Sequence, residues 1–279
     1  MNGFITYVLD IVVAAALLAL ALSVYVDGIG YLVFHVVALA GVGAYVFSIA
    51  SGLHGVPPML AAGIAIVAGA VAGLTSAEIL RPLRDDNLTL ASFGLGVCAF
   101  EMFRFSETTG GVFGMASIPS LFGENEVIVA VTLLAMGIAI VLVWRYSVTG
   151  KVAVALRLDE EGAVSIGARL REHQRFTGMF AGVLAAVSGI WIATTTHFIE
   201  PRQFQTSSIL IALAGVVIAR GNTPFGVVAV IASIVVGSQA ARFLSESAVL
   251  AGPVTEIAVA LALASMLAAT KYRIGKRPK

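Results

Sequence analysis

The sequence predicts an all-α membrane protein, a polytopic helical bundle of about 8–10 transmembrane helices. Three observations carry that prediction. Only 12% of the 279 residues are charged, against about 25% in a typical soluble domain. Hydrophobic residues make up 59%, and the mean hydropathy is +0.98. Long apolar runs also recur from one end of the chain to the other. Polar surface this sparse cannot cover a water-facing domain of this length. The 29 glycines suit helices that pack closely in lipid.

A span needs about 20 apolar residues, because a helix rises 1.5 Å per residue through a hydrocarbon core about 30 Å thick. Nine segments qualify or come close: 4–22, 29–51, 56–80, 88–105, 126–146, 175–195, 206–219, 223–244 and 251–270. The first lacks a basic start and a small-residue cleavage site, so it reads as a retained span and not a signal peptide. Segment 206–219 is short and reads alternatively as a half-helix. Segment 29–51 holds Gly30, Gly41 and Gly43 and is a candidate for a broken helix. The whole chain, 1–279, is expected to form one transmembrane domain carrying one hydrophilic cytoplasmic segment at 147–174.

Lysine and arginine set the orientation. With 147–174 inside, the inner side holds Arg81, Arg84, Arg145, Lys151, Arg157, Arg169, Arg171, Arg175, Arg220 and the basic tail from Lys271 to Lys279. Only Arg104, Arg202 and Arg242 fall at or near the outer side. The positive-inside rule favours this arrangement, with a cytoplasmic C-terminus in the inner (plasma) membrane.

Two hydrophilic stretches interrupt the spans. The outer one, 106–125, carries Thr109-Gly110-Gly111 and Ile118-Pro119; it is too glycine-rich for a helix and reads as an ordered loop. The inner one is the longest polar stretch. Its Ala, Val and Leu residues recur at near-helical spacing from Val152 to Leu158, and Asp159, Glu160 and Glu161 follow. That pattern predicts a short amphipathic helix at the inner surface, with a solvated loop as the alternative.

Ionisable residues inside spans are costly and so are functional candidates. Asp10, Glu101, Arg104 and Glu256 qualify. Glu101 and Arg104 share a helix face and read either as a neutralising pair or as a gating element. His35, in an apolar run, reads as a packing residue or a substrate contact. Gly41 and Gly43 read as points of close helix approach, Cys98 as core, and Trp144 with Tyr146 as an inner aromatic belt. One cysteine excludes an intrachain disulfide, and no metal-ligand spacing occurs.

Five stretches in order resemble the permeases of branched-chain amino-acid ABC importers, specifically the M-type subunit. The inner segment has Gly150-Lys151, then Arg157, Asp159 and Glu160, then Gly167, like the family's coupling segment. His35 precedes Gly41-Val-Gly43-Ala44-Tyr45. Glu101-x-x-Arg104 precedes Thr109-Gly110-Gly111, Gly114 and Ile118-Pro119. Phe198-Ile199-x-Pro201-x-x-Phe204 and Gly221-Asn222-Thr223-Pro224-Phe225-Gly226 follow. There are departures: Phe34 and Ala219-Arg220 stand where glycines are usual, the loop after Arg104 is shorter, and Val164 replaces a late acid.

The resemblance implies a type II-like importer permease for branched-chain or other hydrophobic amino acids, with urea, amides and organic acids as related solutes. It implies ATPase coupling through Lys151, Arg157, Asp159, Glu160 and Gly167. It makes His35, Gly41, Gly43, Tyr45, Glu101, Arg104, Thr109, Gly110 and Gly111 candidates for the pathway or its gates. The chain has no Gly-x-x-x-x-Gly-Lys-Ser/Thr loop. ATP and Mg are therefore expected on two separate ATPase subunits, with no cofactor on this chain. A second homologous permease, an extracytoplasmic solute-binding protein and membrane lipid complete the expected partners; nucleic acid is not among them. The competing reading is an ion-coupled secondary transporter using Asp10, Glu101 and Glu256, and a non-transporting membrane scaffold is a third.

Overall fold

The structure, a computed structural model, describes residues 2–28, 30, 32–83, 85–121, 126–205, 208–219 and 223–244. Its helices are α1 (Asn2–Gly28), α2 (Val36–Ser48), α3 (Pro58–Leu80), α4 (Asp85–Phe105), α5 (Glu126–Tyr146), α6 (Val148–Leu158), α7 (Glu160–Ser165), α8 (Leu170–Thr196), α9 (Ile209–Ala219) and α10 (Pro224–Leu244). Among the described residues, seven helical stretches are long and apolar enough to cross a membrane. With the shorter apolar helix α10 they account for eight of the nine expected segments; 251–270, with Glu256, lies outside the described residues.

Local chemistry sets the ends of the elements. Pro58 opens α3 and Pro224 opens α10, positions where a missing N–H costs nothing. Segment 29–51 is not broken at Gly41 or Gly43. Its helix starts only at Val36, after a left-handed Gly30 (φ +86°), and ends in a π-helical turn, Ile49–Leu53. α8 starts at Leu170, five residues earlier than expected, so the end of the hydrophilic segment already belongs to a span. α9 alone has 11 residues, about 16 Å of helix, and does not cross a bilayer unaided.

α8 is the central post, packed against α1, α2 and α3. Small residues make this possible. Gly178, Gly182, Ala186 and Gly189 form a seam along α8. A Cβ on Gly182 would overlap the Gly69 carbonyl of α3, and one on Gly43 would lie 2.5 Å from Ala186 Cα. Between helices in lipid, such backbone approach replaces the missing hydrophobic drive. α1 runs antiparallel to α8. At one end Trp191 Nε1 donates to the Asp10 carbonyl (3.2 Å) and Ser188 Oγ to that of Ala14 (2.8 Å). At the other, His173 bonds the backbone of Gly28.

Two expectations about single residues change. Cys98 is exposed on α4 and not in the core. Trp144 is buried, 5% exposed, while Tyr146 is 71% exposed. Only Tyr146 has the exposure of a belt residue. Apolar character does not distinguish a lipid-facing surface from a core.

Candidate functional site

The polar segment folds as an elbow of two helices. Ser147 caps α6, its Oγ accepting from Gly150 N–H at 3.2 Å. Asp159 is extended (φ −153°), ends α6, and caps α7 by accepting from Gly162 N–H at 3.0 Å. The one amphipathic helix expected from the sequence is thus bent at Asp159, whose carboxylate serves the turn. Lys151 is exposed. Gly167 closes the elbow with φ +99°, a conformation that costs other residues about 1–2 kcal/mol. Arg157 reaches back into the bundle, to Asp27 Oδ1 at 3.9 Å. Glu160 opens α7.

Cations gather around this end of the bundle. Glu78, near the end of α3, pairs with Arg81 (3.2 Å), Arg171 (3.8 Å) and Arg175. Arg169 bonds Glu172 at 2.8 Å, which pushes its guanidinium pKa above the usual value. Two clefts of about 10 Å³, each room for one water, lie here. Asp27 and Arg145 line one, Tyr25 and Gln174 the other.

His35 is 1% exposed. Its Nε2 lies 3.2 Å from the Tyr25 hydroxyl and 3.1 Å from Ser76 Oγ. Ser76 donates to the Gly73 carbonyl (2.9 Å), so its oxygen is left to accept from an Nε2–H tautomer of His35. His35 thus joins α1, α2 and α3, and Nδ1 is buried without a partner.

Gly41 and Tyr45 lie higher on α2. Tyr45 is about 15 Å from His35 along the helix, so the two belong to different places in the bundle. Tyr45 is 2% exposed and stacks on Phe103 at 4.9 Å, with Phe204 at 5.9 Å. A Cβ on Gly41 would lie 2.6 Å from the Phe103 ring. Thr109 Oγ1 bonds the Phe103 carbonyl at 2.6 Å, which ties the loop to the same cluster. Gly110 and Gly111 both have positive φ. Glu101 and Arg104 pair at 3.4 Å, with side chains 38% and 45% exposed.

The loop after α4 is ordered as two 3₁₀ turns and a strand, β1 (Met115–Ala116), antiparallel to β2 (Phe198–Ile199). His197, at φ +54°, extends the ribbon by bonding the Ile118 carbonyl through Nδ1 at 2.8 Å.

The candidates therefore fall into four places: the elbow, the His35 junction, the Phe103 cluster beside the ribbon, and, for Gly43, the seam against Ala186 of α8. Sequence reasoning missed Asp27, Glu78, Tyr25, Ser76 and Phe103, and named Phe204 only within a motif. Acids near span ends facing basic loops were a usable signal for Asp27 and Glu78. Among the described residues no three His, Cys, Asp or Glu side chains gather as metal ligands.

Against known proteins, no curated protein and no solved structure matches the chain. Residues 4–270 match the family described as branched-chain amino acid transport system / permease component.

Proposed function

The chain belongs to the branched-chain amino acid transport permease family, and on that premise we propose that it is the membrane-spanning permease of an ATP-binding-cassette importer. One observation carries the reading. On the α6–α7 elbow, Leu158 is 81% exposed and, just beyond it, Ile166 is 85% exposed. They sit at the end of the bundle where Arg81, Arg145, Lys151, Arg169, Arg171 and Arg175 gather. The positive-inside rule favours the cytoplasm for that end. Large apolar side chains exposed among charges there favour a protein partner.

In this reading the partner is an ATPase. Lys151 contributes charge to the docked face, Glu160 is a further coupling candidate at the start of α7, and Asp159 and Gly167 fix the elbow's shape. Two such ATPases carry ATP and Mg, and this chain binds no cofactor itself. A second homologous permease completes the pathway. A solute-binding protein delivers cargo to the ribbon end, near Thr109, Gly110 and Gly111. His35, Gly41, Gly43, Tyr45, Glu101 and Arg104 are the pathway or gating candidates. The protein is one permease domain in the inner membrane with its C-terminus in the cytoplasm. Its cargo is a branched-chain or other hydrophobic amino acid, with urea, amides and small organic acids as the nearest alternatives.

The test is purification from the native host in mild detergent, then reconstitution. An ATPase should accompany the chain, and leucine uptake should require ATP. Uptake driven by an ion gradient with no ATPase present would replace this reading with a secondary carrier.

A further inference from the structure

Arg157 and Leu158 are neighbours at the end of α6, and only Arg157 has a charged partner in the bundle. Leu158 is 81% exposed. Arg157 is half exposed, but its guanidinium reaches to 3.9 Å from Asp27 Oδ1, and the Asp27 side chain is only 17% exposed. The stem of Arg157 presses on Gly30, where a Cβ would lie 3.1 Å from Arg157 Cγ. We propose that Arg157 is a positioning residue that ties the elbow to the end of α1, so that displacement of α6 is passed to α1. This rests on the importer reading above.

The end of α1 is held by two further helices, α5 and α8. A Cβ on Gly28 would lie 2.8 Å from Thr177 Cγ2 of α8 and 3.2 Å from Trp144 Cζ2 of α5. His173 of α8 bonds the Gly28 backbone. Arg145 of α5 acts on Asp27 electrostatically alongside Arg157. α1 then crosses the bundle and is bonded again near its start, to Ser188 and Trp191. A helix packed along its length and bonded near both ends shifts as a unit. A push on α6 is therefore delivered to the far end of the bundle and not absorbed in a loop.

The experiment uses the intact complex, reconstituted in proteoliposomes, with ATP hydrolysis and leucine uptake measured on the same sample. Arg157→Glu should keep the ATPase bound and hydrolysing. Uptake per ATP should fall about tenfold, within the usual range for coupling between sites. Arg157→Lys should retain most coupling, and the exchange of Asp27→Arg with Arg157→Asp should recover part of it. If Arg157→Glu fails to assemble, Arg157→Gln, in which Arg145 still faces Asp27, is scored the same way. Loss of the bound ATPase would make Arg157 a docking residue and overturn the proposal. So would uptake and hydrolysis falling in proportion, or an exchange no better than the single change. Absence of any ATPase from the unsubstituted protein is a failure of the importer reading itself, seen before any variant is made, and the proposal falls with it.

Discussion

Gly189 of α8 and Ala40 of α2 meet backbone to backbone: a Cβ built on Gly189 would overlap the Ala40 carbonyl oxygen. No rotamer relieves such a clash, because the atom met is main chain. Gly189→Val should therefore part α2 from α8 and cost more than the 1–3 kcal/mol typical of about one added methylene group in a packed core. Gly63→Ala on α3 is the control, since nothing lies within 4 Å of its Cβ. Thermal unfolding of the purified protein should show a large loss for Gly189→Val and no loss for Gly63→Ala. Equal midpoints would mean that the seam does not hold the bundle together.

The spans were legible because apolar runs end abruptly. Segment 126–146 was read to the residue, bracketed by Glu126 and by Tyr146 before a capping serine. The start of α2 was not, because 29–35 is as apolar as the helix that follows. Cys98 and Trp144 were misjudged for a similar reason: in a membrane the outside of the bundle is as apolar as the inside. The ribbon was invisible, since two-residue strands carry no period. The elbow's polarity was readable, its bend at Asp159 was not, and the reach of Arg157 to Asp27 joins residues 130 positions apart in the chain.

For a neutralising pair in an apolar setting, losing one of Glu101 and Arg104 would hurt more than losing both. Both side chains are more than a third exposed, at the end of α4. The excess penalty should then be small, below about 1 kcal/mol, as for exposed pairs generally. A double-mutant cycle with Glu101→Gln and Arg104→Gln, read by thermal unfolding, measures it. A coupling of several kcal/mol would mean that the pair is buried in the assembled transporter.

His197 holds a left-handed conformation that glycine would adopt freely, and its Nδ1 bonds the Ile118 carbonyl. His197→Ala keeps the strain and removes the bond, so it should lose about 1 kcal/mol. His197→Gly also removes the bond but relieves the strain, so it should unfold at a higher temperature than the alanine variant. The reverse order would show that the left-handed backbone is not strained here, and an alanine variant as stable as the unsubstituted protein would show that the imidazole bond contributes nothing.

Ser117 is exposed beside the ribbon, at the end of the bundle remote from the elbow. If the elbow is cytoplasmic, Ser117→Cys in a Cys98→Ala background should react with a membrane-impermeant thiol reagent in intact cells. Labelling only after permeabilisation would invert the orientation and with it the assignment of both docking faces.

Gly167 gives the most direct test of the elbow. Its φ of +99° lies in the region that glycine adopts freely, yet nothing lies within 4 Å of the position a Cβ would take. A substitution there acts through the backbone alone and not through a clash. Gly167→Val should cost about 1–2 kcal/mol locally, spent by opening the turn and moving Ile166 away from the position that α7 sets. Gly167→Asn tolerates positive φ better and should be milder. Gly167 lies outside the spans, so the membrane-inserted amount should hold. If the elbow is the docking element, the ATPase recovered per permease should fall in the order Gly, Asn, Val, and leucine uptake should follow it. A valine variant with full ATPase recovery and full uptake would show that the shape of this turn plays no part in docking, and the coupling role would have to move to another cytoplasmic segment.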